Sequence, residues 1–139
     1  MGGTLIDMIT LALNILDIVQ NSIRAKASEI AVEVTESAAG DRIEITVKDN
    51  GKGMPQDLLS RVTDPFVTTR KTRRTGLGIP LLKHHANLAG GDLIIDSREG
   101  YGTNVSATLI LSHPDRQPLG DISGMMTILM SANPGIDFL

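Results

Sequence analysis

The chain contains no cysteine. That removes disulfides, cysteine-based zinc sites and a cysteine nucleophile, and it fits a reducing compartment. Tryptophan is also missing, and one tyrosine and two phenylalanines leave little to stack on bases. With a net charge of −3, general nucleic-acid binding is disfavoured. No apolar run is long enough to span a bilayer. No cationic, apolar leader opens the sequence, so the expected location is cytoplasmic. What is present is 41% hydrophobic residues in 139, enough for one core in one domain.

Local patterns predict the elements. Leu5 to about Lys26 is rich in Ala, Leu and Ile, free of Pro and Gly, and reads as one long helix. Glu29–Glu36 and Arg42–Lys48 alternate as strands across an Ala39-Gly40-Asp41 turn. Pro55 opens a short helix over 55–62, followed by an irregular stretch to Thr75. Gly76 to Leu88 is a further helix ended by Gly90-Gly91, and 92–97 and 104–111 are strands. This order predicts an α+β two-layer sandwich, with helices on one face of a mixed, mostly antiparallel sheet. The domain is expected to span 1–111. Residues 112–139 form a turn-rich tail with an apolar helical segment near 121–130, whose methionines are expected to pack on the domain.

Three stretches carry possible chemistry. At about 100° per residue, Thr10, Asn14, Asp17, Asn21 and Arg24 fall in one narrow polar sector of an otherwise apolar helix. Such a strip either meets solvent or lines a polar site, and Asp17 and Asn21 lie one turn apart. The second stretch is KDNGKGMPQ, residues 48–56. Asn50-Gly51 after an alternating run signals a hairpin, but a helix pattern follows in place of a second strand. The two glycines then suggest close approach of backbone to a ligand. The third is TGLGI, residues 75–79, after the basic run Arg70–Arg74. Glycines opening a helix can offer backbone N–H groups to an anion. The pattern is neither a P-loop nor a dinucleotide fingerprint. His84 and His85 follow, but adjacent residues face different sides of a helix and no acidic partner is evident. A structural histidine is therefore expected.

The order of these stretches resembles the histidine kinase-like (Bergerat) ATP-binding fold of sensor histidine kinases, gyrase, Hsp90 and MutL. ILDIVQNSIRAKASEIAVEV resembles a MutL-like N box, VKDNGKGMP a first glycine box, and DPFVTTRKTRRTGLGIPLLKHHANLAGG the second glycine region. A closing Gly-x-Gly-Thr ends at Thr103, and the likeness covers roughly residues 10–111. It implies ATP and Mg²⁺ as cofactors. By the same resemblance Asn21 holds Mg²⁺, Asp49 accepts from the adenine amino group, and Gly51 and Gly53 pass close to base and sugar. Thr75, Gly76, Leu77 and Gly78 face the phosphates, Arg70 and Lys71 belong to a basic lid, and Thr103 lies near the base.

Asp17 stands where the family's ATPases carry a Glu as general base. It either serves as that base with shorter reach or only holds a water. Little chain precedes the N box, so a complete autophosphorylating sensor kinase is not expected. His84, His85 and His113 are not its phospho-acceptor. The implied function is a stand-alone ATP·Mg²⁺ kinase module acting on a His or Ser of a separate protein. The alternatives are an ATPase or ATP-gated switch of the MutL or gyrase type, or a nucleotide-sensing module without turnover. Oligomeric state stays open, and the missing stop signal at Asp137-Phe138-Leu139 suggests a piece of a longer protein.

Overall fold

A computed structural model describes residues 10–56 and 78–139. Residues 57–62 of the expected 55–62 helix, the irregular stretch up to Thr75, and Arg70, Lys71, Thr75, Gly76 and Leu77 lie outside this range. Among the described residues, helix α1 spans Leu11–Arg24, strands β1 and β2 span Glu29–Ser37 and Arg42–Asp49, and helix α2 spans Gly78–Leu88. Strands β3 and β4 span Asp92–Arg98 and Gly102–Ile110, helix α3 Ile122–Ala132, and strand β5 Asp137–Phe138.

The strands form one five-stranded sheet in the order β3-β4-β2-β1-β5. Every pairing is antiparallel except the short parallel contact of β5 with β1. Alternation decides which face is covered. Ile43, Ile45 and Val47 of β2 and Val105, Ala107 and Leu109 of β4 are buried, while Arg42, Glu44 and Lys48 between them are exposed. The buried rows meet Leu11, Ile15, Ile18 and Val19 of α1 and Ile79, Leu82 and Ala86 of α2. Full burial of one such side chain contributes about 1.5–3 kcal/mol, so this single interface supplies most of the driving force. The α+β two-layer architecture is the expected one.

Helix boundaries differ from the sequence pattern where caps intervene. Helix α1 starts at Leu11, after Thr10, whose backbone is extended (φ −114°, ψ 165°) and whose hydroxyl accepts from the Leu13 N–H; the Leu5–Ile9 part of the expected helix lies outside the described residues. At the other end Lys26 has φ 65°, which ends the helix just before it. The tail contributes directly to this helix. The N–H groups of Leu11 and Ala12 donate to the carbonyls of Pro118 and Leu119, both at 2.9 Å. A helix start leaves such donors unpaired unless another segment meets them. Leu129 of α3 is buried, and Ile122, Met125, Met126, Ile136 and Phe138 pack against the same core.

Candidate functional site

Strand register builds one end of the site. Ser97, Thr103 and Asp49 are cross-strand partners on β3, β4 and β2, on the face that the helices cover. Ser22 of α1 reaches this row, its hydroxyl donating to Asp49 Oδ2 at 2.5 Å. The Gly51 N–H donates to Asp49 Oδ1 at 2.8 Å. An ionised carboxylate has about four acceptor positions, so Asp49 keeps capacity for a ligand donor. Ser97 Oγ accepts from the Met54 N–H (2.9 Å), donates to the Gly102 carbonyl (3.0 Å), and lies 2.8 Å from Thr103 Oγ1. With its one proton committed to Gly102, Ser97 must accept from Thr103. Thr103 then presents only lone pairs to a further partner.

The glycine loop between β2 and residue 54 is stitched on both sides. Lys52 N–H donates to the carbonyl of Ala25, the residue capping α1, at 2.9 Å, and Gly100 N–H donates to the Lys52 carbonyl at 2.6 Å. Asn50 forms no hairpin, since β2 pairs with β1 and β4. Its Oδ1 accepts from the N–H groups of Ser28 and Glu29 at 2.9 and 3.0 Å, fixing the entry to β1. Gly53 (φ +71°) lies so close to Arg98 that an added Cβ would fall 2.1 Å from its carbonyl oxygen. Asp49, Gly51 and Gly53 thus sit in one tightly packed corner with Thr103.

The other end of the site lies between α1 and α2. A Cβ added to Gly78 would come within 2.8 Å of Asp17 Cβ, so only glycine allows the start of α2 to touch α1 there. Asp17 is half-buried, and burial pushes its carboxyl above the ordinary range while the nearby Arg24 charge pulls it back. Arg24 Nη2 donates to Asn21 Oδ1 at 2.5 Å. Asp17 thus faces the start of α2, and Asn21, one turn along the same helix, meets a guanidinium.

The expected polar sector does not act as a unit. Thr10 is the cap, and Asn14 is buried at 2% exposure, with Oδ1 2.8 Å from His85 Nδ1. Of the strip, Asp17 stands against Gly78, and Asn21 and Arg24 are bonded to each other. His85 is the structural histidine expected, and His84 beside it is exposed. The structure brings together Asp49, Gly51, Gly53 and Thr103 at one end, and Asp17 and Gly78 at the other, with Asn21 one turn along α1 from Asp17. Ser22 and Ser97 were missing from the sequence reading. Ser22 follows Asn21 directly, but an isolated serine carries no signal of its contacts until β2 is laid against α1.

Asn21 has the donor type a hard cation takes: its amide oxygen is a neutral oxygen donor with Asp17 one turn away, and Mg²⁺ commonly takes one or two protein oxygens and completes its shell with water and phosphate. That oxygen here accepts from Arg24, so an ion would take the place of the guanidinium on it. Among the described residues no group of three or more His, Cys, Asp or Glu could hold a metal ion. No helix among them is long and apolar enough to cross a membrane.

Residues 6–113 match the family described as histidine kinase-, DNA gyrase B-, and HSP90-like ATPase. The sensor protein kinase FleS of Pseudomonas aeruginosa is 40% identical over 121 residues, covering 87% of this chain and 29% of the relative. The sensor histidine kinase ZraS of Escherichia coli K12 is 31% identical over 106 residues, covering 76% and 23%. Sporulation kinase C of Bacillus subtilis is 33% identical over 96 residues, covering 69% and 22%. The chain thus spans less than a third of each of these relatives.

Proposed function

The chain belongs to the histidine kinase-, DNA gyrase B- and HSP90-like ATPase family as a histidine kinase-like ATP-binding domain, and on that premise we propose that it is the ATP·Mg²⁺-binding module of a protein kinase, transferring phosphate to a His or Ser of a separate protein. The observation that carries this reading is the two-ended site along α1. An acceptor pair, Asp49 and Thr103, stands at one end, and Asp17 against Gly78, with Asn21 one turn along α1, at the other. Asp49 accepts from an exocyclic amine, which favours adenine over guanine, whose corresponding edge presents a carbonyl. Ser22 and the Gly51 N–H hold the carboxylate in place for that contact. Thr103 adds an acceptor beside it.

At the phosphate end Asn21 would hold Mg²⁺ once the Arg24 guanidinium, which donates to its Oδ1, gives up that oxygen and turns its charge toward phosphate. When bound, the ion neutralises phosphate charge and orients the transferred group. Gly78 brings backbone close to the same place, with Thr75, Gly76, Leu77, Arg70 and Lys71 assigned there by resemblance. In-line transfer then needs chiefly positioning and charge neutralisation. The reading also puts the domain in the cytoplasm, where ATP and Mg²⁺ are supplied.

The raised carboxyl of Asp17 favours one second reading, in which Asp17 takes a proton from water and the domain hydrolyses ATP or acts as an ATP-gated switch. Incubation with γ-labelled ATP, Mg²⁺ and co-purified partners separates these. Label on a protein supports the kinase reading, free phosphate the ATPase, and ATP bound without turnover a sensing module. No nucleotide binding sinks all three.

A further inference from the structure

His85 is the one buried imidazole among the described residues, and the ATP-site reading gives it no task. It is 7% exposed on α2 and meets Asn14 of α1, two helices that also give Ile15, Ile18, Leu82 and Ala86 to the buried core. Among the described residues its ring bonds to Asn14, Nδ1 lying 2.8 Å from Oδ1. An amide oxygen can only accept, so Nδ1 carries a proton and is the donor. Burial pushes the pKa of the ring down.

A polar pair is a poor choice for filling this interface. Apolar side chains of similar volume stabilise a core as well or better, without desolvation to offset. What a buried hydrogen bond adds is direction. It is satisfied in one rotation and one register of the two helices and leaves two orphaned polar groups in any other. The other polar landmark of the same interface lacks this property. Gly78 meets Asp17 and Ile18 through backbone and aliphatic atoms, a contact of shape only. Shape alone lets the start of α2 pivot or slide, whereas the Asn14–His85 bond anchors α2 farther along.

We propose that the Asn14–His85 hydrogen bond is a positioning contact for the phosphate end of the site, holding α2 in the register that keeps Gly78 against Asp17. The inference rests on reading the α1–α2 cleft as the phosphate side of an ATP site. It assigns neither residue any contact with nucleotide. Its mark is selectivity: the phosphate end loosens when the bond is removed, while the Asp49 end, built on the sheet, stays as it was.

The test compares ATP·Mg²⁺ with adenosine, which carries no phosphate, by titration against the whole chain. In Asn14→Leu/His85→Leu the polar pair is replaced by an apolar one, so the core stays filled. ATP affinity should fall roughly tenfold or more while adenosine affinity stays within about twofold, tenfold being about 1.4 kcal/mol. His85→Gln keeps an N–H donor and should recover most of the ATP affinity. His85→Phe keeps a ring without a donor and serves as the second readout should the double variant not fold. An unchanged ratio of ATP to adenosine affinity in the folded variants overturns the proposal, as does an equal fall in both. If Asp49→Ala leaves adenosine affinity at the wild-type value, the site reading itself fails, a result separable from failure of the Asn14–His85 contact.

Discussion

The Ser22 hydroxyl on α1 and the Asp49 carboxylate at the end of β2 are joined by a 2.5 Å hydrogen bond that crosses from the helix layer to the sheet. It makes the orientation of Asp49 a property of both layers. Ser22→Ala removes one of two donors holding the carboxylate, and the loss of such a bond to a charged group costs about 1.5–3 kcal/mol. ATP affinity should fall with it. Asp49→Ala should remove both the affinity and the preference for ATP over GTP, read by calorimetric titration with each nucleotide. Unchanged ATP affinity in Asp49→Ala would show that the adenine assignment is wrong.

Gly102 and Gly100 both have positive φ, +119° and +87°, yet they differ in surroundings. A Cβ on Gly102 would stand 2.1 Å from the Asp49 carbonyl oxygen, whereas one on Gly100 meets nothing within 4 Å. Gly100→Ala should therefore cost only backbone strain, about 1 kcal/mol, and Gly102→Ala roughly 3 kcal/mol or more. Urea denaturation of the two variants measures the difference. Gly102→Ala should also weaken nucleotide binding, because the backbone it displaces is that of Asp49.

If Asp17 is a general base, Asp17→Ala should slow phosphate release by roughly 100-fold or more while leaving adenosine binding intact. Unchanged release would remove Asp17 from the chemistry and leave it as a helix-packing residue against Gly78. Single-turnover release of labelled phosphate is the measurement.

Asp17 and His85 should tilt stability with pH in opposite directions. The folded pKa of Asp17 is raised, so from its ordinary value of about 3.9 up to the folded value the native state holds more protons than the unfolded chain. Stability falls as pH rises through that window. The folded pKa of His85 is lowered, so from that value up to about 6.5 the unfolded chain binds more protons. Stability there rises with pH and is fully present above the ordinary value. Urea unfolding from pH 4 to 7.5 should show both slopes, with Asp17→Asn flattening the acidic one and His85→Gln the other.

The amides of Leu11 and Ala12 should exchange slowly with solvent, because Pro118 and Leu119 accept from them. Leu129→Ala removes a buried anchor of α3 and should cost about 2–4 kcal/mol. Hydrogen exchange on that variant should show faster exchange at Leu11 and Ala12 if α3 holds the Pro118–Leu119 segment in place.

Much of the fold was legible because it follows from short-range periodicity. The alternation of Arg42–Lys48 already separates Ile43, Ile45 and Val47 from the charged face, and the structure buries those residues. Helix limits were less legible, since Thr10 fits a helical pattern as well as it fits a cap. The parallel pairing of Asp137–Phe138 with Glu29–Ile30 was invisible, because two residues carry no periodic signal and their partner is far away in sequence.

Sequence alone determined which residue types stand in which order: a helix bearing Asp17 and Asn21, Asp49 at a strand end, and Gly78 at a helix start. Local backbone preferences and the order of motifs suffice for that. Tertiary structure alone decided how the polar strip of α1 is divided. Asn14 turns into the core toward His85, Ser22 toward Asp49, and Asp17 toward Gly78. A helical wheel assigns each side chain a direction, but what it meets depends on the element packed there. Burial then obliges each polar atom to find its partner within the fold.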